Sequence, residues 1–531
     1  MKKHIEKFIW TFLPAALVVF SFGAAGEICG TFFDTTAAAF GSKFPDNKAE
    51  DVKAVLTGMG APQAVTGPSN TLPASMAVLV TDESPRSLVG IDLAGGREVW
   101  KVTPPIQSEL TVGGDIVVFQ SGFNVVGHDL KTGAARWSFE IETGWNYHGA
   151  DIEGNVAIIS VGVGGEQAGA YSNGRVIALN ARTGGKLWEN SSGGGLLGAP
   201  AIHGNYVFVP WDRQKVSILE IEKGTEVCRV RADDFTINFV RADATGAYYG
   251  ALASGTKLST IYRFDEKSAV GTAAGSTSFT PALEPVPGEP AFARDAYALP
   301  VSGRSGTEKI KFHWVPAVDA AKPISMADGA YYLHYWRFLI AFDQATHQVR
   351  WTYRTEKDIE SIAAVSGGVV GVDSDGKMFF VDAVSGAEIW KYESGHKVLT
   401  AAIDANGFKP AGGGGAAPDP LIGLKEIIWD KDNRMLPIRS YAAFLIAAFP
   451  APEVTQDLLT VYSDASCPKG LRDAVVQALR KRTTGAEYLV KALHMQYDFL
   501  EQTQAPPMGV VAPALVNMGE RGPSRAFSIT S

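Results

Sequence analysis

VIALNARTGGKLW, residues 176–188, and MFFVDAVSGAEIW, residues 378–390, share one plan. An apolar run alternates as a strand does, an Asp or Asn follows, a short turn carries Gly, and a second short strand ends in Trp. Gly takes the positive φ that such a turn needs, and the Asp or Asn side chain caps its own backbone. The closing Trp offers a broad flat surface for packing between sheets. Four more segments repeat the plan: LVGIDLAGGREVW (88–100), VVGHDLKTGAARW (125–137), VSILEIEKGTEVC (216–228) and FLIAFDQATHQVRW (338–351).

The spacing sets the architecture. Trp100 to Trp137 is 37 residues, Trp137 to Trp188 is 51, Trp188 to Cys228 is 40, and Trp351 to Trp390 is 39. The 123 residues from Cys228 to Trp351 divide into three units of 41. Two units are therefore expected in that gap, one including LSTIYRFDEKSAV (258–270) and one including KIKFHWVP (309–316) with Trp314. A period near 40 matches a four-stranded β-propeller blade. The expected fold is mainly β: an eight-bladed, alternatively seven-bladed, propeller over 75–403 with a small all-α domain behind it. GVGGEQAGAYSNG (162–174) reads as an inserted surface loop, and 271–308 as a long loop on one face.

These repeats resemble the pyrroloquinoline-quinone-type, quinoprotein-like propeller family over roughly residues 75–400. They are closest in character to the BamB-like outer-membrane assembly lipoproteins. That family also includes quinoprotein dehydrogenases, so the resemblance implies the fold, while function depends on the site. Its enzymes carry an adjacent cysteine pair over the cofactor and a calcium site of Asp, Glu and Asn side chains. This chain has Cys29, Cys228 and Cys467, none adjacent, and Cys228 stands where a blade carries Trp, as a small buried hydrophobe would.

Other constellations are sparse. Asp233-Asp234 is the one Asp-Asp pair in the propeller and reads as a solvated turn. GVGGEQAG (162–169) lacks the strand–loop–helix frame and the Lys-Ser/Thr end of a phosphate loop. His128, His148, His203, His313 and His334 are far apart in sequence and read as satisfied side chains. The aromatic stretches WNYHG (145–149) and HYW (334–336) read as blade core, with a patch at a propeller mouth as the alternative. No catalytic, cofactor-binding or metal-binding residue is assigned, and no cofactor is expected.

The termini add a compartment and a second module. Lys2, Lys3 and Lys7 precede the apolar run FIWTFLPAALVVFSFGAA (8–25), an export signal or membrane anchor over 1–25. Cys29 offers lipidation as a third route to the membrane, although Gly26-Glu27-Ile28 departs from the usual lipobox. Residues 26–74 read as a tether. After a Gly/Pro linker at 404–420 the period moves toward 3.6, predicting a HEAT-like helical domain over 421–503, with helices at 438–449, 453–465, 471–483 and 485–500. Arg480, Lys481 and Arg482 are expected on a solvated face, and 504–531 is expected to be an irregular tail.

The 531 residues carry 48 Lys+Arg against 56 Asp+Glu, a net charge of −8, with no basic block. This disfavours a nucleic-acid partner. The expected function is a noncatalytic envelope scaffold, periplasmic or at the outer membrane, whose partners are subunits of an envelope protein complex. The alternative is a periplasmic quinoprotein-like dehydrogenase or another enzyme with its site in the propeller channel.

Overall fold

The computed structural model describes chiefly residues 75–163, 174–191, 197–211, 215–231, 235–243, 246–253, 259–263, 299–300, 309–310, 324–327, 330–343, 348–405, 417–493 and 508–518. The export segment, Cys29, Asp233-Asp234, His313, Trp314 and most of the 271–308 loop lie outside them.

Eight antiparallel sheets follow one another among the described residues. Six have four strands. Sheet 1 spans 76–102, sheet 2 111–140, sheet 3 145–190, sheet 4 201–231, sheet 7 324–354 and sheet 8 359–393. Sheet 5 (235–263) shows three strands, and sheet 6 is the two-stranded ladder of Leu299–Pro300 with Lys309–Ile310. Sheet 1 takes its fourth strand from far along the chain: Val398–Asp404 pairs with Met76–Thr81, with Ala77 opposite Ile403. This pairing covers a sheet edge that would otherwise stand open. The first strands of successive sheets touch in turn, from Ile324–Ala327 through 359–365, 398–404, 111–113, 145–153 and 201–203 to 235–243. Sheets thus pack face to face around an axis, as propeller blades do.

The repeat explains how neighbouring sheets lock together. In sheet 2, Asp129 accepts from the backbone N–H of Lys131 (2.9 Å) and Thr132 (2.8 Å), and Gly133 takes φ +71°. The ladder shifts register at Gly127/His128, so the turn ends in a bulge with the glycine in the left-handed region. Asn180 and Asp382 cap their turns the same way. Four of the closing Trp residues then reach forward into the next sheet. The indole N–H of Trp100 donates to Leu130 O (2.9 Å), Trp137 to Ala181 O (2.7 Å), Trp188 to Ile221 O (2.7 Å) and Trp351 to Ala383 O (3.0 Å). Each acceptor directly follows the turn-capping position of the next repeat. The ring of that Trp also covers the next turn's glycine: a Cβ on Gly133 would lie 2.6 Å from Trp100, and one on Gly184 2.7 Å from Trp137. Gly is therefore required there by both φ and space.

Behind the propeller, among the described residues, lie six helices and a short 3₁₀ turn at Asn433–Met435: α1 (Pro420–Ile428), α2 (Leu436–Ala447), α3 (Glu453–Ser463), α4 (Lys469–Arg480), α5 (Ala486–Leu493) and α6 (Met508–Asn517). Asp419 caps α1 by accepting from Leu421 N–H (2.9 Å), with Pro420 at the first position. Two expectations are corrected. Within the expected irregular tail, 508–517 is helical. Val510, Val511 and Ala514 fall on one face and enter the helical core, which outweighs the breaker Pro513. Arg482, expected at the surface, is only 1 % exposed. α4 ends at Arg480, so Arg482 leaves its polar face and turns inward. It donates to Ala447 O (2.9 Å), Ala451 O (2.7 Å), Phe449 O, Thr455 Oγ1 (2.9 Å) and Thr484 Oγ1 (2.7 Å). It thereby binds carbonyls at and beyond the C-terminal end of α2, where a cation also complements the helix dipole.

Candidate interaction surface

The most distinctive polar geometry lies where the helices meet sheet 7. The hairpin Tyr335-Trp336-Arg337-Phe338 turns with Trp336 at φ +52°, the left-handed region that a bulky residue seldom enters. Several contacts hold it. Ile359 N–H donates to Trp336 O (2.9 Å), and the Arg434 guanidinium lies over the Trp336 ring, 4.3 Å from its centroid. Arg337 donates to both carboxylate oxygens of Asp430 (2.7 and 2.6 Å), whose side chain is buried. Tyr335 Oη donates to Arg434 O (3.2 Å). Arg434 also pairs with Asp358 (2.6 Å) on the propeller and Asp432 (2.7 Å) on the helical side. Its hydrogen bond holds the Asp432 carboxyl below the ordinary carboxylate range, with the Arg434 and Arg337 charges adding to the effect and partial burial opposing it. The same bond, with the Asp358 pair, holds the guanidinium charged.

Beneath this polar rim the contact is apolar. Leu333, Tyr335, Phe338, Ile340 and Phe342 share one core with Leu424, Ile427, Ile428, Ile438 and Tyr441. The rings of Phe342 and Tyr441 lie 6.2 Å apart. α1 approaches so closely that a Cβ on Gly423 would fall 1.6 Å from Thr352 Oγ1. The other side of α1 is bare: Ile422 is 60 % and Trp429 42 % exposed. Seven residues apart, they share one face, with exposed Glu426 between them. An apolar stripe ending in Trp, rimmed by charge and carried on a rigidly docked helix, has the composition of a protein-binding anchor.

The histidines and aromatic stretches singled out in the sequence scatter. His128 is buried in sheet 2, its Nδ1 3.0 Å from Gly133 O and its ring 5.1 Å from Phe119; burial pushes its pKa down. His148 sits at a register shift in sheet 3, while His203 and His334 are buried in sheets 4 and 7. Trp145 and Tyr147 are core, as the blade reading of WNYHG expects, and Tyr147 Oη donates to Thr111 Oγ1 of sheet 2 (2.7 Å). HYW lies at the helical junction. Cys228 is fully buried in its Trp position; Cys467 is also buried, which pushes its thiol pKa up. Among the described residues, no three His, Cys, Asp or Glu side chains converge as a cation site. Sequence reasoning missed the Arg337–Asp430 pair and the Arg434 stack. The available signal was the cluster of charge in WDKDNR (429–434) immediately after an apolar helix.

A family model described as outer membrane protein assembly factor BamB matches residues 63–227, 172–269 and 301–415. Among solved structures, BamB from Moraxella catarrhalis is similar at 15% identity and a TM-score of 0.32, over 62% of this chain and 85% of that one. The computationally designed Ika8 protein is similar at 13% identity and 0.37, over 62% and 90%. Sqt1 from Saccharomyces cerevisiae is similar at 10% identity and 0.38, over 62% and 86%. No curated protein matches the chain.

Proposed function

Because this chain belongs to the family of outer membrane protein assembly factor BamB, we propose that it is a noncatalytic envelope scaffold that binds protein partners. The observation that carries the reading is the rigidly docked helical module, which presents the Ile422/Trp429 stripe beside a propeller of this family. The module gives the propeller a second, helical surface on which a partner can register. The apolar run at 8–25 supports export, with a cleaved signal, a retained anchor or lipidation at Cys29 as the routes to the membrane. Its partners are subunits of an envelope complex.

A photo-crosslinking residue at Trp429, introduced into the full chain in its native host, tests this. The reading expects a discrete adduct with one or a few envelope proteins, and no such adduct when the probe replaces Leu187 on an outer strand. No adduct at Trp429, together with a noncovalent organic cofactor released from the purified protein, would instead make the channel enzyme the leading account.

A further inference from the structure

Sheets 1 and 3 each have two apolar faces and bury both against neighbouring sheets. Sheet 1 packs Ala77, Leu79, Val89 and Ile91 against sheet 8, and Val78, Val80, Leu88 and Trp100 against sheet 2. Sheet 3 divides in the same way, with Ile159 and Leu179 toward sheet 2 and Ile158 and Ala178 toward sheet 4. The closing Trp of sheets 1, 2, 3 and 7 lies on the face toward the later sheet, because its indole bonds to that sheet's turn. Trp351 therefore orients sheet 7. With Ala330, Tyr332, Leu339 and Ala341 it faces sheet 8. The opposite face, Leu333, Tyr335, Phe338, Ile340 and Phe342, is the one that an earlier blade would cover. Helices cover it.

We infer that the helical module is a wedge in the ring: α1 and α2 take the packing position against sheet 7 that the preceding blade holds elsewhere in the propeller. Three further contacts fit a built joint. Gly423 permits backbone approach to Thr352, which lies on the same face as Ile340. Arg337 and Asp430 form a two-pronged ion pair at the joint's rim. Arg434 bridges the module to Asp358 at the start of sheet 8. The helices thus continue the ring of face-to-face packing.

Two measurements on the full chain test this. The first is disulfide formation between Gly423→Cys and Thr352→Cys in a Cys29→Ser background. A Cβ on Gly423 lies 3.0 Å from Thr352 Cβ, within a small adjustment of disulfide reach. The wedge predicts near-complete bridging under mild oxidation. The second is hydrogen exchange in Asp430→Ala, with the exposed Glu426→Ala as control. The wedge predicts at least tenfold faster exchange across 330–342 in Asp430→Ala, unchanged exchange at 156–180, and no effect of Glu426→Ala. Absence of the bridge, or exchange across 330–342 that stays within twofold, would overturn the inference and return that face to a blade.

Discussion

Gly184 and Gly122 share a positive φ, +70° and +63°, yet their surroundings differ. A Cβ on Gly184 would meet Trp137 at 2.7 Å, whereas one on Gly122 meets nothing within 4 Å. The left-handed conformation costs an L-residue about 1–2 kcal/mol, and overpacking adds about 1–3. Gly184→Ala should therefore destabilise by about 2–5 kcal/mol and Gly122→Ala by about 1–2, measured from denaturant midpoints. Equal losses would show that the Trp does not seat on the next turn. Arg482 makes a different case, because it donates to the buried Ala447 carbonyl at the end of α2 and to the Phe449 carbonyl just beyond it. Arg482→Met should cost about 3 kcal/mol or more. Arg482→Lys should recover little, since a point charge cannot reach both the carbonyls and the two hydroxyls. Full rescue by Lys would show that charge alone matters there.

At the scale of elements, the junction with sheet 7 carries a pH signature. Asp432 is held low mainly by its hydrogen bond from Arg434, so its contribution is present above the unfolded value and fades as pH falls through the lower folded value. The loss of stability in Asp432→Asn should thus be largest near neutrality. It should shrink steadily from about pH 4 downward, as the wild-type carboxyl takes up its proton. Thermal melts of both proteins over that range check the sign; a difference that grows in acid would contradict the assignment. The helices themselves were readable from their periodicity: Leu471, Val475 and Leu479 lie buried on one face of α4. Arg482 and α6 were less readable. A basic triplet looks solvated until the helix end is known, and Pro513 looks like a breaker until Val510, Val511 and Ala514 find a core. Both outcomes depend on tertiary contacts that a local pattern does not contain.

For the whole molecule, the repeat made the propeller legible because each Asp–Gly–Trp unit encodes its own turn and its lock on the next sheet. The seam was less legible: Val398–Asp404 carries no signal of its own that pairs it with Met76–Thr81, more than 300 positions away. The candidate surface was less legible still. Ile422 and Trp429 belong to a short apolar run, and only docking of Leu424, Ile427 and Ile428 shows which side is left outside. The scaffold reading joins that surface to a compartment and to partners. The most direct test is intact mass and partner content of the protein purified gently from membranes of its native host. The account predicts a membrane-held chain, either retaining 1–25 or starting at an acylated Cys29, that copurifies with a fixed set of envelope proteins. A soluble, unpartnered chain carrying a noncovalent organic cofactor or calcium would contradict it.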